Sequence, residues 1–353
     1  MIRIPKPHIL KKSLFGKAVP FSLDTQILDI IQTEYGIGIS ICEVASLRDL
    51  VHESSSFFIS DKHHKYVLKI YGEAIQGNAL IYEHAILKHL SNHHLPVAPP
   101  LATQKGETYV DGNKERYAIY PFLSGYMFRD YFMTFKSRMN YVAQSAAFLG
   151  KMHACTEQVL LPGERKWPGY TYRLEELQAS CKSLALKNAP LADEIKKMVD
   201  LWYRLAENTP VYGKLSQCIV HEDFGPYNLI FRKGKLSGAI DFMDAHQDCR
   251  IKDVVFSLMM FSRTREYPFH RDLVRVFLAE YQKEVRLTDI ELEVMSDVFC
   301  LKRLNELPEF VNATIYAEEQ QSKYESMLWD FINEIKWHQE NKNTLTQLVR
   351  EYV

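Results

Sequence analysis

The segment His221-Glu-Asp-Phe-Gly-Pro-Tyr-Asn228 places the carboxylate of Asp223 on the approach to an amide oxygen, Asn228, and a second carboxylate, Asp241, follows downstream. The stretches Asn228-Leu-Ile-Phe231 and Leu236-Ser-Gly-Ala-Ile-Asp241 read as two strands joined by Arg232-Lys-Gly-Lys235. A turn centred between Gly234 and Lys235 sets Asn228 and Asp241 opposite each other at one end of an antiparallel ribbon. Two oxygen donors meeting there suit a hard cation such as Mg2+. Asp223, on the loop entering the ribbon, stands within reach of the same point. There it can accept or orient the proton of an attacking hydroxyl while the metal neutralises phosphate oxygens. Each residue also has a plainer use, capping a turn or bounding a strand. It is their joint spacing that favours the chemical one.

A cation to complement them stands upstream. In Tyr66-Val-Leu-Lys-Ile-Tyr71, strand alternation puts Val67 and Lys69 on one face and Leu68 and Ile70 on the other. Lys69 then points into a cleft if the second face is core. On the following helix Glu83 shares a face with Ala79, Ile86 and Leu90. A carboxylate on an apolar face needs a partner, because burying it unpaired costs several kcal/mol (order of magnitude), and Lys69 is the candidate. The alternative is a snorkelling lysine beside a partly exposed glutamate.

The elements that must position these groups divide the chain near residue 130. Before it, a helix capped at Asp24, three strands between Ile39 and Ile70, a helix from about Asn78 to Ser91, and apolar runs at Leu101–Ala102 and Tyr117–Leu123 make a small sheet carrying one helix. After it the pattern is helical apart from the ribbon, with Ala146, Ala147, Leu149, Gly150 and Met152 marking a closely packed central helix. The expected fold class is α+β, with an antiparallel-sheet lobe over residues 1–123 and a larger, mainly helical lobe over residues 124–353.

With 353 residues, 46% of them hydrophobic, the chain can fill two cores. A formal charge of −1 speaks against a nucleic-acid binder, whose partner demands a basic surface. Six scattered cysteines without a C-x-x-C pair suggest reduced thiols in a cytoplasm. No run reaches the length of a membrane span. Nothing in the sequence sets the oligomeric state.

Together these residues resemble the aminoglycoside phosphotransferase and choline kinase-like superfamily, which shares the protein-kinase fold; the similarity runs from about Leu28 to Phe261. The resemblance implies an ATP- and Mg2+-dependent kinase of a small-molecule hydroxyl. It makes Asp223 the catalytic base, and Asn228 and Asp241 the metal ligands. Lys69 becomes the phosphate-binding lysine oriented by Glu83, Tyr120-Pro-Phe122-Leu123 the hinge that meets adenine, and Asp253 the brace of the catalytic loop. Three departures stand out. Glu222 replaces the glycine of H-G-D. The phosphate loop offers serines such as Ser55 in place of glycines, and Asp241-Phe-Met replaces D-F-G. The short interval between Asp241 and Asp253 leaves no room for the activation segment with which protein kinases dock peptides, favouring a small acceptor. The acid excess between Asp289 and Asp330 points either to a solvated helix face or to an amine-bearing acceptor. His84, His89, His93 and His94 are expected at the surface rather than on a metal, and Tyr324, Trp329, Phe331, Ile335 and Trp337 in the packing of the last helix, the alternative being a lid over the acceptor pocket. The competing reading is a nucleotide-binding scaffold without turnover, of the kind associated with spore coats.

Overall fold

The computed structural model describes residues 25–38, 45–46, 54–60, 63–112, 114–128, 133–165, 173–264, 268–316 and 321–353. Helix α1 (Thr25–Tyr35) precedes strands β1 (Ala45–Ser46), β2 (Ser54–Ser60) and β3 (Lys65–Tyr71), helix α2 (Gly77–Asn92), and strands β4 (Val110–Asp111) and β5 (Arg116–Pro121). The strands form one antiparallel sheet in the order β1-β2-β3-β5-β4. The run at Leu101–Ala102 is not a strand, although the Leu101 N–H donates to the Ile119 carbonyl. The cap expected at Asp24 lies outside the described residues.

Strand alternation decides the two faces. Phe57, Ile59, Leu68, Ile70, Tyr117 and Ile119 cluster on one side around Ile31 of α1. Val67, Lys69, Tyr71, Ala118 and Tyr120 occupy the other side, toward α2, as the period-2 pattern requires.

The second lobe begins with strand β6 (Tyr126–Met127) and helix α3 (Phe135–Thr156), whose N-terminus is capped by the Thr134 hydroxyl accepting from the Ser137 N–H. Helices α4 (Leu174–Lys187), α5 (Ala189–Ala206) and α6 (Thr209–Tyr212) follow. After the strands described below come α7 (Ile251–Ser262), α8 (Arg271–Tyr281), α9 (Asp289–Tyr316), α10 (Gln321–Glu340) and α11 (Lys342–Arg350). Helix α3 packs closely on α8 at Gly150, where a Cβ would stand 2.7 Å from the Tyr281 carbonyl oxygen. The aromatic residues of α10 pack as the sequence suggests, Phe331 against Phe310 of α9 and Trp337 against Phe269.

The lobes are not independent bodies. Leu80, Ile86 and Leu90 of α2 and Tyr71 of β3 belong to the same apolar cluster as the helical lobe. Each such side chain contributes about 1.5–3 kcal/mol by leaving water, so α2 is anchored to the helical lobe as well as to its sheet.

Candidate active site

Two short ribbons frame the site. Strands β8 (Leu229–Arg232) and β9 (Lys235–Ala239) pair antiparallel, with β6 on the outer edge of β8. Strand β7 (Gln217–Val220) pairs antiparallel with β10 (His246–Cys249). The loop 221–228 leaves β7 and enters β8, and the loop 240–245 leaves β9 and enters β10, so each is tied at both ends. At one end the Ile240 N–H donates to the Asn228 carbonyl at 3.0 Å, and at the other Val220 faces His246. The sequence shows the first ribbon and misses the second, because β7 and β10 are brief and distant in sequence.

The turn of the first ribbon sits one residue earlier than the spacing suggests. Lys233 and Gly234 both take positive φ, +50° and +77°, the geometry of a two-residue hairpin turn. A register shift near Ile230 then offsets the strands. Asn228 therefore lies opposite Ile240, and Asp241 falls one residue past the pairing with a φ of +69°. Helix α3 clamps the assembly: Asn140 and Gln144 donate to the Gly234 carbonyl, and Thr156 accepts from the Ile219 N–H.

On loop 221–228, Asn228 donates through Nδ2 to the carbonyl of Asp223 at 2.8 Å and to its Oδ2 at 3.1 Å. The Tyr227 hydroxyl donates to the Asp223 Oδ1 at 2.5 Å. Burial raises the Asp223 carboxyl above its usual range, against the pull of Lys302 and the Tyr227 hydrogen bond. Asp253, fully buried, accepts the N–H of His221 at Oδ2 (2.6 Å) and of Glu222 at Oδ1 (3.0 Å), and His153 lies 3.3 Å from the same Oδ2. Burial works against the charge of Asp253, but these hydrogen bonds outweigh it and keep the carboxyl below its usual range. Asp253 is thus the brace of the loop.

From the sheet, Lys69 Nζ lies 3.7 Å from Glu83 Oε1 and 3.9 Å from Asp241 Oδ1, joining the lobes across the cleft. Burial opposes the ammonium, yet Glu83 and Asp241 hold Lys69 above its usual range. Burial also pushes the Glu83 carboxyl up. Tyr120 turns its ring inward: its hydroxyl is 2.6 Å from that of Tyr71 and 2.8 Å from His84 Nε2, and Lys69 stands over its ring. The Tyr120 phenol is therefore occupied within the protein, and its ring backs Lys69. Phe122 donates its N–H to the Lys65 carbonyl and packs edge-on against Phe58. Ser55 stands in β2 opposite Ile70, and its side chain and the turn before it lie outside the described residues.

A model of the phosphotransferase enzyme family matches residues 47–287. The chain belongs to the phosphotransferase enzyme family. Among relatives, it is 24% identical over 281 residues to a homoserine kinase of Bartonella henselae, covering 79% of this chain and 83% of that one. It is 21% identical over 244 residues to a homoserine kinase of Phenylobacterium zucineum, covering 68% and 70%. Two solved structures share the fold. An amicoumacin kinase in complex with AMP-PNP and Ca2+ has a TM-score of 0.69 at 18% identity, covering 89% of this chain and 93% of the other. A microcompartment-associated aminopropanol kinase has a TM-score of 0.69 at 14% identity, covering 90% and 98%.

Within this family member, the donor set suits a hard cation in a particular way. Asn228 spends its Nδ2 on Asp223, which leaves the amide oxygen as its ligand atom, and Asp241 keeps a partly exposed carboxylate. Among the described residues no group of three or more His, Cys, Asp or Glu gathers to hold a metal. Asn228 and Asp241 are the oxygens that could hold a hard cation, which takes water and phosphate for its remaining positions.

The phosphotransferase also carries site residues that sequence reasoning missed. Tyr227 was hidden because tyrosine is common in loops, although it lies within the motif itself. Arg165 and Asp244 pair at 2.5 Å, and both act on the charge of Glu83; nothing local marks Arg165. Many acids between Asp289 and Asp330 are paired: Glu291 with Arg250, Asp297 with Lys342, Glu306 with Lys302 and Arg303. His84 departs from its expected surface place. It is buried against Tyr109 and Tyr120, bonded to Thr108 and the Tyr120 hydroxyl, and burial lowers it to about 3. No helix among the described residues is long and apolar enough to cross a membrane.

Proposed function

We propose that the chain is a cytoplasmic Mg-ATP-dependent kinase that transfers the γ-phosphate to a hydroxyl of a small amine-bearing acceptor, an amino alcohol, amino acid or aminosugar. What supports this is Asn228 bonded to Asp223 on one loop, Lys69 standing between Glu83 and Asp241, and the Ile240 N–H, next to Asp241, donating to the Asn228 carbonyl. In this reading residues 1–123 and 124–353 are the two lobes, and ATP lies between them.

Lys69 holds the α- and β-phosphates, and Glu83, which accepts from the Tyr71 hydroxyl, keeps its ammonium in place. The main chain at Tyr120 and Phe122 meets adenine, and Ser55 is the serine assigned to the phosphates. Asn228 and Asp241 would hold a magnesium ion, which supplies charge neutralisation at the phosphate oxygens. Asp223 accepts the acceptor's hydroxyl proton, and Tyr227 and Asn228 hold its carboxylate in one orientation. Burial, by raising its proton affinity, suits it to that task. The homoserine kinases support an acceptor bearing both amine and hydroxyl, since homoserine carries both.

The test is ADP release from Mg-ATP across a panel containing homoserine, aminopropanol and aminosugars. At least one amine-bearing acceptor should be turned over, and Asp223→Ala should lower kcat about 10²–10⁴-fold while ATP still raises the thermal midpoint. Stabilisation by Mg-ATP with no turnover on any acceptor would make the chain a nucleotide-binding scaffold. Full turnover by Asp223→Ala would remove that residue from its role.

A further inference from the structure

Glu222 sits beside Asp223 in the left-handed region, with a φ of +74°. A side chain there costs about 1 kcal/mol of backbone strain, and its main chain does not need that side chain, because Asp253 already holds the N–H groups of residues 221 and 222. The carboxylate has a separate task. It reaches Lys252 of α7 at 2.7 Å and Lys302 of α9 at 3.3 Å, with His246 Nε2 at 3.9 Å.

Both lysines are buried, and each has a second carboxylate: Asp248 for Lys252 at 3.0 Å, and Glu306 for Lys302 at 2.6 Å. Lys302 also stands over the Phe256 ring. Its charge reaches Asp223, the neighbouring carboxylate on the loop. A buried ammonium that loses a counter-ion turns to another within reach, because leaving it undercompensated is costly.

We propose that Glu222 is a positioning residue that holds the Lys302 ammonium away from Asp223, so that the catalytic carboxylate is not locked in an ion pair. This rests on the assignment of Asp223 as the base. Removal of Glu222 leaves each lysine one acid, so the fold persists while Lys302 shifts toward Asp223 and competes with Tyr227 and Asn228 for its carboxylate.

The experiment compares the parent with Glu222→Gly, Glu222→Gln, Lys302→Met and Glu222→Gly/Lys302→Met, following ADP release from Mg-ATP with homoserine, with aminopropanol and without acceptor. Glu222→Gly, which also relieves the backbone, should lower kcat at least about tenfold with the KM for ATP within about twofold. Glu222→Gln, which keeps the shape without the charge, should do the same. Lys302→Met in the Glu222→Gly background should restore most of the lost kcat, since it removes the intruding cation. Thermal midpoints of the two single variants should be non-additive in the double variant. Undiminished kcat in Glu222→Gly, failure of Lys302→Met to rescue it, or additive midpoints would each overturn the proposal. Turnover that survives Asp223→Ala would instead overturn the base assignment, so the two failures are told apart.

Discussion

Tyr120 carries its phenol between Tyr71 and His84, in a buried chain that ends on Glu83 at one side and Thr108 at the other. Its hydroxyl serves the interior, and its ring backs the lysine. Tyr120→Phe should therefore cost about 1–3 kcal/mol of stability, the penalty of leaving the His84 nitrogen without a partner. The KM for ATP should stay within about twofold, since the ring remains. Urea unfolding and steady-state kinetics check both; unchanged stability with a tenfold rise in KM would mean that the phenol contacts nucleotide. The same residue shows how chemistry and packing divide on one strand. Strand alternation alone gives Tyr120 the face of Lys69, but only the neighbouring α2 decides that its oxygen is already occupied.

At the scale of elements, α2 carries Glu83 and is held from three sides. The sheet holds it through Tyr71, the helical lobe through Leu80 and Ile86, and a strap after α3 through Gly163 and Glu164. The Glu164 N–H donates to the Asn78 carbonyl at 3.2 Å. Gly163 has a φ of +81°, and a Cβ there would stand 2.5 Å from the Tyr82 nitrogen and 2.6 Å from the Asn78 oxygen. These are backbone atoms that cannot swing aside. Gly163→Ala should strain the strap by about 1–3 kcal/mol and displace α2, loosening the Lys69–Glu83 pair. A lower thermal midpoint with a severalfold higher KM for ATP is the expected result, and a variant equal to the parent in both would show that the strap does not position α2. The ribbons follow the same logic. Neither β7–β10 nor β8–β9 would stand alone, and α3 and Asp253 bind both to the lobe.

For the whole molecule, the cluster shared between α2 and the helical lobe makes protonation inside it a stability term. His84 and His338 are buried and neutral, burial lowering each from an ordinary value near 6.5 to about 3. In the unfolded chain both take up protons below about pH 6.5. The unfolded state therefore binds more protons, and stability falls as pH drops through that value toward 3. Each histidine should remove about 1.4 kcal/mol per pH unit below 6.5. Urea midpoints between pH 7 and 5 should fall, and His84→Gln should flatten part of that slope. A stability that is constant or rises toward pH 5 would show that these histidines are already protonated in the folded protein.

What the sequence determined by itself is local. The order of residues from His221 to Asn228, the alternation around Lys69, the helical spacing of Glu83 and the approach to Asp241 follow from period and reach along the chain, and the fold sets Asn228 on Asp223 and Lys69 near both Glu83 and Asp241. What tertiary structure decided is long-range. The ribbon β7–β10 pairs brief segments far apart in sequence, so no local pattern reveals it. Arg165 reaches Asp244, and Tyr120 bonds to His84, through approaches that no spacing encodes. Glu222 reads as a mere departure in the sequence. It becomes the centre of a buried charge network only because α7 and α9 deliver Lys252 and Lys302 to it. A side chain's type is written in the chain, but its counter-ion is fixed by whichever helix packs beside it.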